Sequence, residues 1–340
     1  MPFTTALGSH RYLENLFVKL HTLDGVIGLG ECPIATHIIG NTYQQSEETI
    51  KAWMPELLQK DFENLEQLSK NLAVNSTQEI PAKACLEMAF WDAENKIKSQ
   101  SIAQSLTASP ENIKTSITLV ISDMKSMLDN AYQFYQNGFQ VFKVKIGRDL
   151  SQEVTLLKKL TQTLPGASFI LDANQGYTSK ESLLLIESIE KHQWPIILFE
   201  QPVSGNDWKG WKEVKRHSFI TLAADESLKT IEDAKRLSGE NLCNIFNIKL
   251  AKIGITAAFK VVEIAGENQI DLMMGMMMES ALGVSAAAQF ASGIGGFKAI
   301  DLDTPFYLLN GLSDCYFMNP DGTIVISKIR SGLGYEELPQ

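Results

Sequence analysis

Cysteine is scarce: Cys32, Cys85, Cys243 and Cys315 are the four in 340 residues, far apart and never in a CxxC pair. Such spacing fits neither a disulfide framework nor a thiolate zinc site, and it implies reduced thiols in a cytoplasmic protein. Histidine is almost as sparse. The five, His10, His21, His37, His192 and His217, show no HxxxH or similar ligand spacing, which argues against zinc. No apolar run reaches the roughly 18 residues a membrane-spanning helix requires, and the opening MPFTTALGSHRYLEN lacks the basic and apolar regions of a secretory signal. Basic charge is in deficit too. Thirty Lys+Arg against forty Asp+Glu leave a net charge of -10, a surface that repels phosphate backbones and anionic lipid headgroups. The expectation is no nucleic acid and no membrane as partner, while composition leaves a homo-oligomer open.

What is present is ordinary globular material, 44% hydrophobic and 21% charged, enough apolar surface for a sizeable core. The stretch NLFVKLHTLDGVIGLGE alternates around Asp24-Gly25 and predicts an antiparallel hairpin. Gly25, Gly28 and Gly30 there read as turn and packing residues rather than a dinucleotide fingerprint. From about Ser46 to Ser99 the spacing turns helical, so the first hundred residues predict an α+β unit. From residue 113 short apolar runs alternate with amphipathic stretches. Strands are expected near Ser116–Ile121, Gln140–Ile146, Ser168–Ala173, Ile196–Glu200, Phe219–Ala224, Asn244–Leu250, Asp271–Met276 and Lys298–Asp301. Eight such units suit a parallel β/α barrel, and no GxGxxG follows the first strand to favour an open dinucleotide-binding sheet. After Asp314, YFMN and TIVISK flank Asn319-Pro320-Asp321-Gly322, a second small hairpin.

In such barrels the chemistry lies at the C-terminal strand ends. There the sequence places Lys143 and Lys145, then Asp172, Glu200, Asp225, Lys249, Glu279, and Asp301 with Asp303, about one charged group for each βα unit. A single charge at a strand end is usually a helix cap or a solvated loop residue. Successive strands ending this way bring carboxylates to one mouth, where burial without counter-charge is costly. Asp172, Glu200 and Asp225, on three adjacent strands, are three hard oxygen donors suited to Mg²⁺. Lys145 and Lys249 are four strands apart, half the circumference of an eight-stranded barrel, so they face each other across the mouth. A carbon α to a carboxylate, held between them, would lose its proton to one lysine and regain one from the other through an enediolate. The base lysine must be partly neutral, and a cationic environment, with Lys143 beside Lys145, is expected to lower its pKa. Lys143 either contacts the enediolate or forms a salt bridge to a barrel carboxylate.

The ordered runs KVK, DANQG, FEQP, ADES, NIKLAKIG and DLDTP resemble the enolase superfamily, specifically its muconate-lactonising-type subgroup and within it the dipeptide epimerases. The resemblance spans essentially the whole chain. It implies an α/β fold, a modified TIM-type (β/α)7β barrel over residues 113–312. An α+β capping domain over 1–112 and a C-terminal segment, 313–340, packing back on the cap complete it. It implies a dipeptide as the small-molecule partner, one Mg²⁺ per subunit on Asp172, Glu200 and Asp225, and Lys145 and Lys249 as catalytic residues. Asp301 and Asp303 would hold the dipeptide's free ammonium, the alternative being that they cap the following segment. Thr118, Lys143 and Met276 would line the substrate site, with Glu279 supporting it. Gly8 stands where members that prefer Ala-Glu carry arginine, and Arg11 is out of register. Other dipeptides, with a hydrophobic or polar second residue, are therefore expected at least equally. Cap residues Ile38-Ile39-Gly40-Asn41 should shape that choice. N-acylamino acid racemase, o-succinylbenzoate synthase and muconate cycloisomerase activities are the alternatives on the same scaffold. A ligand-binding module and a Schiff-base aldolase are the alternatives from other classes.

Overall fold

The computed structural model describes residues 3–4, 9–10, 12–58 and 60–339. Gly8 and Arg11, named above for the choice of dipeptide, lie outside the described residues. Strands β1 (Phe3–Thr4) and β2 (Ser9–His10) pair antiparallel, and β3 (Asn15–His21) and β4 (Ile27–Pro33) form the expected hairpin, with His21 opposite Ile27. Gly25 turns it at a φ of +80°, a conformation open to glycine at little cost. Gly28 and Gly30 let helix Ile80–Ile97 lie directly on the hairpin. A Cβ at Gly30 would stand 2.1 Å from the Cys85 carbonyl oxygen. Helices Tyr43–Leu57 and Leu65–Lys70 cover the remaining apolar face, burying Ile50, Trp53, Leu68 and Leu72 with Leu16 and Cys32.

β5 (Ile113–Lys114) is a short outer strand. The eight that follow are β6 (Ile117–Leu119), β7 (Val141–Lys145), β8 (Ser168–Asp172), β9 (Ile196–Glu200), β10 (Leu222–Ala224), β11 (Ile245–Ile248), β12 (Asp271–Met274) and β13 (Phe297–Ile300). They form one parallel sheet in sequence order, each pair joined by helical crossovers, and its edges meet where the Ser116 N–H donates to the Ile300 carbonyl at 2.8 Å. This is the curled eight-stranded α/β barrel the sequence predicts. Ile170, Leu198, Ala223, Ile245 and Met273 fill its interior, while a much larger layer of side chains lies between strands and helices. Most of these strands are shorter than expected, and for one the cause is local. β10 starts at Leu222 rather than Phe219 because Ser218 Oγ bonds both the N–H and the carbonyl of Ile220, turning the chain and leaving Phe219 exposed.

In the C-terminal segment Asn319–Gly322 turns as expected, with the Val325 N–H donating to the Phe317 carbonyl. β14 (Thr323–Ile324) pairs with β5. Further on, the Leu333 N–H donates to Asp92 Oδ1 and Lys96 Nζ donates to the Tyr335 carbonyl, both on helix Ile80–Ile97.

Candidate active site

Parallel strands in one register end at one level, so the residues at and just after their C-termini share the mouth. Lys145, Asp172 and Glu200 are successive cross-strand partners on β7, β8 and β9. Asp225 follows β10, Lys249 follows β11, and Asp301 and Asp303 follow β13. All are buried. Local backbone holds them there. Asn174, Gln175 and Gln201 adopt left-handed φ of +41°, +70° and +39°, uncommon for residues with side chains and sustained only where surroundings impose it. Gln201 Oε1 accepts the N–H groups of Asp225 and Ser227, both at 3.0 Å, and so ties β9 to the loop after β10. Gly275 leaves room for the Lys249 side chain, since a Cβ there would lie 3.1 Å from its Cε.

The carboxylates meet lysines. Lys143 Nζ stands 2.9 Å from Asp172 Oδ2, 2.8 Å from Glu200 Oε2 and 2.7 Å from Asp301 Oδ2. Lys145 Nζ lies 2.6 Å from Asp172 Oδ2 and 3.2 Å from Asn174 Oδ1. Lys249 Nζ lies 2.7 Å from Asp225 Oδ2, and Lys252 Nζ bonds Asp225 Oδ1 and its carbonyl. The two lysines read as facing each other thus end on the two outer carboxylates of the triad, with Glu200 between.

Two opposing effects act on the pKa of the Lys249 ammonium. Burial alone would lower it, but Asp225 outweighs burial and holds the ammonium above its ordinary value. Lys143 is raised for the same reason, by Asp172, Asp301 and Glu200 against burial. Asp172 is held low by Lys143 and Lys145 against the opposing effect of burial, and Asp225 by Lys249 and Lys252. Glu200 is pushed up to about 7 by burial and by Asp172. Burial also lifts Asp303 to about 7, with Asp301 adding to it.

Three carboxylates from adjacent strands are a donor set that fits Mg²⁺. Seven buried acids near the mouth (Asp172, Glu200, Asp225, Glu226, Glu279, Asp301, Asp303) outnumber four buried lysines (Lys143, Lys145, Lys249, Lys252). Glu200 Oε2 is buried and accepts no hydrogen bond, because the nearby Lys143 ammonium lies off the hydrogen-bonding direction. Among the described residues no three His, Cys, Asp or Glu side chains close round a common point as metal ligands do, since Lys143 bridges Asp172 and Glu200.

On β13's far side, Asp303 Oδ2 accepts the Thr118 N–H at 2.5 Å, and the Thr118 carbonyl accepts from Tyr307 Oη. Asp303 does not cap the following 3-10 turn Thr304–Phe306 with its side chain. Asp301 Oδ1 is buried with no hydrogen-bond partner. Met276 is buried, its sulfur accepting from Thr304 Oγ1 at 3.4 Å, and Glu279 accepts the Met277 N–H. Ile38 and Ile39 reach the mouth from the cap, beside Glu226, Lys229 and Lys252. Sequence reasoning gave no role to Asn174, Glu226, Asn247 or Lys252, although all four lie inside the quoted motifs. Their contacts run between strands distant in sequence, and only the two-residue step from Asp172 to Asn174 hinted at a shared face.

Residues 1–106 match the family described as mandelate racemase / muconate lactonizing enzyme, N-terminal domain, and residues 126–338 match enolase C-terminal domain-like. A hydrophobic dipeptide epimerase from Citrifermentans bemidjiense is 32% identical over 343 residues, covering 98% of this chain and 93% of its own. The dipeptide epimerase from Enterococcus faecalis, solved with Mg and L-Leu-L-Tyr, superposes with a TM-score of 0.86 at 29% identity, covering 90% of this chain and 86% of that one. The N-succinyl Arg/Lys racemase from Bacillus cereus also has a TM-score of 0.86, at 25% identity over 92% and 85%.

Proposed function

This chain belongs to the mandelate racemase/muconate lactonizing enzyme family of the enolase superfamily, and from that premise we propose that it is a dipeptide epimerase. The observation that carries the reading is the placement of Lys145 and Lys249 at the two ends of the Asp172–Glu200–Asp225 row. In this reading the C-terminal residue of a dipeptide lies between the lysines. One lysine, neutral at the start, takes the α-proton and becomes an ammonium. The facing lysine, an ammonium at the start, gives a proton to the opposite face and ends neutral, so a 1,1-proton transfer inverts the carbon. Asp301 and Asp303 hold the substrate ammonium, Asp301 through the buried Oδ1 that has no other partner. Asp172, Glu200 and Asp225 would hold one Mg²⁺, which supplies positive charge for the substrate carboxylate as negative charge grows there. Thr118, Lys143 and Met276 line the site.

Sequence residues 1–112 and 313–340 form the cap in this proposal, and 113–312 the barrel. Four buried free thiols accord with a cytoplasmic location, and no helix among the described residues is long and apolar enough to cross a membrane. Dipeptides with a hydrophobic or polar C-terminal residue are accepted at least as well as Ala-Glu, given Gly8. The second reading, favoured by the N-succinyl Arg/Lys racemase likeness, is racemisation of an N-acylamino acid, whose substrate has no free ammonium. The test is α-deuterium incorporation in D₂O across a dipeptide library with Mg²⁺, for wild type and Asp301→Ala. The proposal expects exchange that EDTA abolishes and that Asp301→Ala lowers at least about 100-fold. Retained exchange of N-acylamino acids with none of dipeptides favours the second reading.

A further inference from the structure

Among the described residues the Lys145 ammonium makes two close contacts, and one is an amide that has its own anchor. Asn174 Oδ1 accepts from Lys145 Nζ at 3.2 Å, and Asn174 Nδ2 donates to Glu226 Oε1 at 3.2 Å. A carboxamide has one accepting and one donating end. With Glu226 as acceptor on the donating end, the carbonyl end must face Lys145. A flipped amide would point N–H groups at an ammonium and leave Glu226 Oε1 unpaired. The backbone prepares this arrangement: Asn174 sits at a left-handed φ of +41°, its N–H held by Asp172 Oδ1 at 2.9 Å. Glu226 and Asn174 are both buried, so water does not compete for either contact.

We propose that Glu226 is a positioning residue that acts through the Asn174 amide to aim Lys145 at one face of the substrate carbon. The inference rests on the epimerase reading above and goes beyond it, because Glu226 touches neither lysine. It follows that damage here falls on one face of the reaction. Lys249, across the mouth, is held instead by Asp225 and makes no bond to Asn174 or Glu226.

The experiment measures α-proton exchange in D₂O, by NMR, from each diastereomer of the best dipeptide separately. Lys145→Ala first identifies the diastereomer whose proton Lys145 removes. Glu226→Ala is expected to slow exchange from that diastereomer by at least about tenfold and from the other by less than about threefold. Glu226→Gln, which keeps an acceptor for Asn174 Nδ2, should restore the first rate to within about threefold of wild type. An equal fall from both diastereomers, the signature of disturbing neighbouring Asp225, overturns the proposal, as does no change in either. Should wild type exchange no dipeptide, the epimerase reading fails, and crystal structures of the two variants decide this inference alone. It stands if the Lys145–Asn174 contact is lost in Glu226→Ala and kept in Glu226→Gln, and falls otherwise.

Discussion

Glu279 is a buried acid whose pKa is pushed up to about 8, by burial first and by the Glu31 carboxylate second. Its sign is that of an acid protonated more readily in the folded chain than in the unfolded one. Its contribution to stability is therefore complete below the ordinary carboxylate range and is lost as pH rises through about 8. Glu226, also pushed up to about 8 chiefly by burial, adds to the same slope. Urea unfolding of wild type between pH 5 and pH 9 should show stability falling across that window, and Glu279→Gln should flatten it. A wild-type profile that rises with pH contradicts this. At this scale the candidate residues were legible because charge recurs once per βα unit. Which oxygen meets which ammonium was not. Lys143 reads in sequence as an enediolate contact or a salt bridge to one barrel carboxylate, but a 2.7–2.9 Å approach to three acids depends on barrel curvature that one-dimensional spacing does not carry.

Two barrel helices take their N-terminal anions from the cap. Glu31, on β4, accepts the N–H groups of Ser280 and Gly283 and the Ser280 hydroxyl at the start of helix Ala281–Ile294. Glu87 accepts the N–H groups of Ile255 and Thr256 at the start of helix Ile255–Glu267, which has no side-chain cap of its own. A carboxylate near exposed N–H groups satisfies donors that a helix leaves open and complements its dipole. Glu31→Ala leaves those donors unpaired in a buried place. The expected loss is about 1–3 kcal/mol of unfolding free energy, measured by urea denaturation. Hairpin, helices and barrel strands followed from periodicity and turn chemistry, as Asp24-Gly25 illustrates. The Glu31 and Glu87 contacts did not, since both join residues more than 160 positions apart in sequence.

For the whole molecule, the N-terminal hairpin and the C-terminal segment meet on helix Ile80–Ile97, where Asp92 accepts the N–H groups of Leu29 and Leu333. Besides the Leu333 and Tyr335 contacts with Asp92 and Lys96, the Gly332 N–H donates to the Gln100 carbonyl, and Ser285 Oγ donates to the Leu333 carbonyl. Removal of residues 313–340 strips β5 of its partner strand and leaves the buried Asp92–Lys96 pair without a cover. The shortened chain is expected to lose cooperative thermal unfolding and to bind a hydrophobic dye, and a sharp transition would contradict that. The central claim concerns the two lysines brought to opposite sides of the mouth by strands four positions apart. Its most direct measurement is α-proton exchange from each diastereomer of a dipeptide in D₂O, with Lys145→Ala and Lys249→Ala compared. The account predicts that both variants lose epimerisation while each keeps exchange from one diastereomer, a different one in each case. Loss of exchange from both diastereomers in only one variant, with the other fully active, would contradict it.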